Sequence, residues 1–246
     1  MQFVGETEPS SPAPPAGGLG VDVARGVVLM ASASYWSRRL VRNLGIAAVA
    51  LAVYLVAVNA SHSTQTMFRL SMATGYASVA LIAWAMLIGP WRVWRGRTAP
   101  VSTDLRRDVG IWGAVFGVAH VVAGLQVHMA GAIWKYFIFP EGDHPVPLRY
   151  DLFGFANWTG LAATLVLLML LAISNDVSLR ALGSRRWKSW QRWTYWAAAL
   201  VVAHGLAYLW IEEGNHGWVY AFAAIALVVL AMQLIGRRRV LQRRAA

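Results

Sequence analysis

Six long apolar stretches alternate with short polar segments along this chain. They cover residues 44–60, 72–91, 110–131, 153–174, 193–211 and 217–236, and none contains an Asp, Glu, Lys or Arg. A helix that crosses a bilayer needs about 20 such residues. The pattern therefore predicts an all-α fold, a six-helix transmembrane bundle occupying residues 43–238.

The polar segments give the bundle a direction. Nineteen of the 22 basic residues fall before the first stretch, between the second and third, between the fourth and fifth, and after the sixth. The opposite side has only Arg69, Lys135 and Arg149, with the acids Glu141, Asp143, Asp151, Glu212 and Glu213. Basic loops stay in the cytoplasm, so both termini are expected there, in a bacterial inner membrane. Residues 1–20 are rich in Pro, Gly and Ser and read as a disordered tail. Residues 21–42 fit a juxtamembrane surface helix, with Val27–Met30 followed by Tyr35, Trp36 and three arginines. Residues 239–246 form a basic C-terminal tail. No internal repeat is evident.

Composition narrows the function. The 246 residues are 58% hydrophobic and 13% charged, with a formal net charge of +11. Soluble domains carry about 25% charged residues, so a soluble enzyme is disfavoured. The absence of cysteine excludes disulfides, iron–sulfur clusters, thiolate zinc and covalently attached haem. Neither lysine lies in a phosphate-binding loop. Nucleic acid is not the expected partner, because the basic residues are spread over four juxtamembrane segments, where anionic lipid headgroups hold them. Trp91, Trp94, Trp187, Trp190, Trp210 and Trp218 fall at predicted membrane interfaces.

Two histidines lie inside predicted spans, and an ionisable residue at membrane depth points to function. His120 is about 18 Å along a helix from Asp108, and His204 about 19–20 Å from Gln191. The two imidazoles should therefore reach one level, where they could ligate a b-type haem from opposite faces. Gly113, Gly117, His120 and Gly124 share one helical stripe, which would leave room for a porphyrin. The same stripe also reads as a helix-packing face, with each histidine bonded to a neighbouring helix. A proton relay or a metal site is a third reading. His62, His128, His144 and His216 fall at or beyond the outer face. They read as loop histidines or, with the nearby acids, as an iron site. His128, placed on the third helix about 12 Å above His120, would meet a haem propionate or line a quinone pocket. Arg149 would meet a propionate from the same side.

Two stretches resemble the ferric reductase-like transmembrane domain family. Arg106-Arg107-Asp108-Val109-Gly110-Ile111, followed by Ala119-His120, resembles the R-R-x-x-G-L…L-H opening of that family's third helix. Residues 174–208 resemble its second signature, with Arg180, Leu182, Gly183, Arg186, Trp187, Arg192, Tyr195 and His204 in register. The family includes the membrane haem subunit of the bacterial methionine sulfoxide reductase system and the membrane core of NADPH oxidases and ferric reductases. The resemblance implies a haem b bundle that moves electrons across the membrane, with His120 and His204 at ligand positions. It also implies a difference. Gln191 stands where the family often places a second, cytoplasmic-side haem histidine, so one haem is expected, in the outer half.

The expectation is a membrane cytochrome b, an electron-transfer component without its own flavin or NAD(P)H domain. Its donor would be a quinol or a flavoprotein, with quinone or FMN as further cofactors to consider. Its acceptor would be a periplasmic redox protein, ferric iron or oxygen. The alternative is a non-enzymatic haem- or metal-binding membrane module, or an assembly partner of a larger complex. A transporter is disfavoured by the uncharged spans.

Overall fold

A computed structural model describes residues 18–61, 63–96, 103–140, 144–212 and 217–245. Seven α-helices are present among them: α1 (Gly18–Ala60), α2 (Thr66–Trp94), α3 (Thr103–Gly124), α4 (Leu152–Ala172), α5 (Asp176–Gln191), α6 (Thr194–Glu212) and α7 (Gly217–Ala245). Two short 3-10 turns, Met129–Gly131 and Ile133–Tyr136, lie in the loop after α3. No strand occurs among the described residues. That loop is closed by one antiparallel bridge between Ile138 and Leu148. Four helical stretches are long and apolar enough to cross a membrane: Tyr35–Ala60, Thr66–Trp94, Leu152–Ala172 and Asp176–Ile211. The third and sixth predicted spans correspond to α3 and α7, which are not among these four. In α3 the charged residues Asp104, Arg106, Arg107 and Asp108 occupy the first turns, and the helix stops at Gly124 rather than running on to 131.

The chain divides into two units, Met1–Leu44 and Gly45–Ala246. In the first, residues 18–44 are helical, and residues 1–17 lie outside the described set. Segment 21–42 is helical and falls within α1. Tyr35 meets Trp36 edge to face, and the Arg39 guanidinium lies 5.7 Å from the Trp36 ring.

In the second unit the packing is that of a membrane bundle. Small residues are buried between helices, among them Ala73, Ala77, Ala156, Ala163, Ala197 and Ala207, while Leu165, Leu227 and Val228 are exposed. Lipid is as apolar as leucine, so membrane helices associate where small side chains let backbones approach. The most extensive pairings are α2 with α3 and α4 with α6, and α7 packs on α2 and α6.

The two signature stretches meet on one side of the bundle. Arg107, nearly buried, pairs with Asp176 at the start of α5 and with Asp104 at 3.4 Å. Its guanidinium is held above its ordinary pKa: burial opposes the charge, but the bond and charge of Asp176 outweigh it. Trp187, expected at an interface, is buried and donates its indole N–H to the Ile173 carbonyl at 2.9 Å. That bond folds α5 back against the end of α4. Asn175 caps α5 by accepting from Ser178 N at 2.8 Å.

Candidate functional site

The second unit encloses a cavity of about 350 Å³, lined mostly by apolar side chains. His120 of α3 and His204 of α6 face each other within it, with ring centres 5.9 Å apart and ring planes at 79°. Both rings are anchored in the same way. His120 Nδ1 lies 2.8 Å from the Ser71 carbonyl oxygen on α2, with Ser71 Oγ at 3.2 Å. His204 Nδ1 lies 2.8 Å from the Ala156 carbonyl oxygen on α4. A carbonyl only accepts, so each Nδ1 carries the proton and each Nε2 keeps its lone pair. A neutral imidazole fixed in this way is prepared to ligate a metal.

A metal–imidazole bond is about 2 Å long, so two imidazoles on opposite sides of one metal have ring centres about 6 Å apart. The observed spacing fits that arrangement. The apolar lining also suits a flat macrocycle. Among the described residues, no group of three or more His, Asp or Glu side chains is placed to hold a metal ion.

The other residues singled out from sequence fall in different places. Gly117 and Gly124 line the cavity, and Gly113 does not. A Cβ on Gly113 would meet Ile82 at 3.1 Å, and one on Gly124 would meet Ser71 Oγ at 3.1 Å. The stripe therefore lets α3 approach α2 closely, and its upper part forms cavity wall as well. Ser78 donates to the Gly113 carbonyl across this contact at 2.8 Å. His128 lines the cavity, but it lies past the end of α3, at the start of a 3-10 turn. It is thus not on the His120 helix as the span 110–131 implied. Its ring stands edge-on to Phe153 at 5.7 Å. Arg149 lies in the loop between α3 and α4 and does not line the cavity. It makes a two-pronged pair with Asp151 at 2.9 and 3.3 Å and donates to the Lys135 carbonyl at 3.0 Å. His144 stacks on Phe139, with ring centres 3.9 Å apart. His62 and His216 lie outside the described residues.

Several lining residues were not anticipated. Tyr208 donates to Asn157 Oδ1 at 2.8 Å beside His204. Tyr136 is almost completely buried. Its hydroxyl accepts from His128 N at 2.9 Å and lies 3.1 and 3.0 Å from the Gly124 and His128 carbonyls. Its single proton is shared between these two carbonyls, and the Gly124 carbonyl also accepts from Val127 N at 3.1 Å, so Tyr136 ties the loop to the end of α3. Gly75 and Gly160 lie directly against the two imidazoles. Gln191 does not line the cavity, and its buried amide nitrogen has no hydrogen-bond partner among the described residues.

No family model matches the chain, and no solved structure matches it. Three relatives are similar in sequence. One is the protein-methionine-sulfoxide reductase heme-binding subunit MsrQ of Deinococcus radiodurans, 29% identical over 161 residues, which cover 64% of this chain and 70% of the relative. The protein of the same name from Ralstonia nicotianae is 26% identical over 165 residues, covering 66% and 68%. Magnetosome protein MamZ of Magnetospirillum gryphiswaldense is 31% identical over 127 residues, which cover 51% of this chain but 17% of that much longer protein.

Proposed function

We propose that this chain is a membrane electron-transfer subunit that holds one b-type haem between His120 and His204. The observation that carries the reading is the pair of Nδ1-anchored imidazoles facing each other across one apolar cavity. The likeness to two proteins named heme-binding subunits supports it. When bound, the haem supplies a centre that takes up and gives up one electron.

The chain's own residues do the rest. His120 and His204 would present Nε2 to the iron, with their rings held by the carbonyls of Ser71 and Ala156. These bonds would make each imidazole a stronger electron donor and so favour the oxidised state. Gly117, Gly124 and His128 would bound the group. The apolar lining would exclude water, while Arg149 is tied to Asp151 in the loop between α3 and α4. Gln191 is a poor haem ligand, which supports a single centre. In this reading both termini are cytoplasmic and the protein lies in a bacterial cell membrane. Electrons come from a separate quinol or flavoprotein and leave to a partner reductase at the outer face.

A dithionite-reduced minus oxidised spectrum with a pyridine haemochrome assay tests the proposal. Low-spin b-type bands at about one haem per chain are expected, lost in His120→Ala and in His204→Ala. Full haem content in the double variant would overturn it.

A further inference from the structure

Each imidazole sits on a helix through an arrangement that the chain builds twice. On α2, Thr74-Gly75-Tyr76-Ala77 precedes His120, and on α4, Thr159-Gly160-Leu161-Ala162 precedes His204. The threonine and glycine recur 85 positions apart. The histidines recur 84 positions apart, within Val118-Ala119-His120…Ala123 and Val202-Ala203-His204…Ala207. The atoms repeat as well. Thr74 Oγ1 lies 2.6 Å from the Leu70 carbonyl and 3.1 Å from that of Ser71. Thr159 Oγ1 lies 2.8 Å from the Phe155 carbonyl and 2.9 Å from that of Ala156. The carbonyls that receive the imidazoles, Ser71 and Ala156, are therefore the ones that each threonine touches and that lie one turn before each glycine.

We propose that Gly75 and Gly160, each with the threonine before it, are positioning residues that fix the orientation of the His120 and His204 imidazoles, by one half-site built twice. The inference rests on the haem reading above. A side chain one turn after a carbonyl lies on the same helix face. A Cβ on Gly75 would come within 2.9 Å of His120 Nδ1, and one on Gly160 within 2.6 Å of His204 Nδ1 and 2.8 Å of its Cε1. Real Cβ atoms do not approach so closely. Only glycine leaves the carbonyl open to the ring from that side. The threonine hydroxyl shares its one proton between that oxygen and the preceding carbonyl, and the share it gives limits how strongly the imidazole N–H is bonded. Alanine would push each ring off its carbonyl; it would leave the His204 Nδ1–H without a partner in an apolar wall, whereas His120 would keep only Ser71 Oγ within reach. The two ring planes, now 79° apart, would change their relative angle.

The experiment compares wild type, Gly75→Ala, Gly160→Ala and a control, Gly110→Ala. Gly110 is a helical glycine with nothing within 4 Å of its added Cβ. Ferric electron paramagnetic resonance reads the mutual angle of the ligand planes. Midpoint potential reads imidazole basicity, and transfer of haem to excess apomyoglobin reads retention. Loss of an outer-shell bond to a metal-ligating histidine weakens retention by about 10–100-fold. That loss, a changed resonance signal and a raised potential are expected at both glycines, more strongly at Gly160, with none at Gly110. Thr74→Val and Thr159→Val add no bulk and leave the carbonyl to the imidazole, so they should shift the potential downward. If an alanine variant fails to fold, the threonine variants decide. Wild-type resonance, potential and retention throughout would overturn the positioning role. If His120→Ala and His204→Ala also kept their haem, the haem reading itself would fall. Loss of haem in those two, with unchanged glycine and threonine variants, would leave the haem reading standing and remove only this inference.

Discussion

Gly183 shows how one residue can be required by backbone alone. It interrupts α5 with φ 69° and ψ 156°, while a Cβ there would meet nothing within 4 Å. That corner of backbone space is open essentially to glycine and costs other residues about 1–3 kcal/mol. The bend matters because it sits within α5, whose Trp187 is pinned to Ile173. Gly183→Ala should therefore lower stability by about that amount. Gly110→Ala, in a helix with open space, should be neutral or stabilising by up to about 1 kcal/mol. Thermal unfolding in detergent separates the two, and equal melting temperatures would contradict the backbone argument. Sequence marked Gly183 only as a residue in register with a signature; the reason for it is a dihedral angle, which no pattern of residue types reveals. Gly75 and Gly160 were passed over for the opposite reason. Their role depends on a side chain from another helix, whereas Gly113, Gly117 and Gly124 form a stripe visible within one helix.

At the level of elements, apolar runs found the helices well and their ends poorly. The run 110–131 reads as one span because Leu125, Val127 and Met129 are apolar, yet α3 ends at Gly124. The amides of Leu125, Gln126 and Val127 close that end in turns, and the Tyr136 hydroxyl, from 12 residues along the chain, adds a bond to the Gly124 carbonyl. Such a contact is invisible to hydropathy, and it moves His128 from a helix face into a turn. The start of α4 was more legible, since Asp151 precedes the apolar run. Asp151 accepts from Gly154 N at 2.7 Å and pairs with Arg149 at 2.9 Å. Partial burial opposes its charge, but the Arg149 bond and the Gly154 amide outweigh it and hold the carboxyl below its usual pKa. A carboxyl depressed by folding stabilises above its unfolded pKa of about 3.9 and loses that contribution as pH falls through the lower folded value. Asp151→Ala should thus cost about 1 kcal/mol from pH 5 to 8, and the deficit should shrink below pH 4. Melting curves of both proteins across pH 3–8 give the difference directly, and a gap that widened on acidification would refute the assignment.

For the molecule as a whole, the two large helix pairings, α2 with α3 and α4 with α6, each bring one histidine against one carbonyl and one glycine. The repeat is faint in the sequence, because the shared positions amount to a few small residues and the histidines. The intervening segments differ, a short basic stretch between α2 and α3 and the whole of α5 between α4 and α6. Threonine, glycine and histidine persist where a ring, a carbonyl and a hydroxyl must meet, while outward-facing apolar positions satisfy lipid with any large side chain. If the two half-sites hold one centre as proposed, its sidedness in the membrane becomes a functional property. The 19-to-three imbalance of basic residues predicts the turn after α1 outside and α5 inside. The absence of cysteine makes this directly measurable. Thr64→Cys, exposed between α1 and α2, should react with a membrane-impermeant maleimide in intact spheroplasts, whereas Ser184→Cys, exposed on α5, should react only after lysis. Labelling in the reverse order would place the outer loop and its Arg149–Asp151 pair on the cytoplasmic side. The acceptor would then have to be sought there.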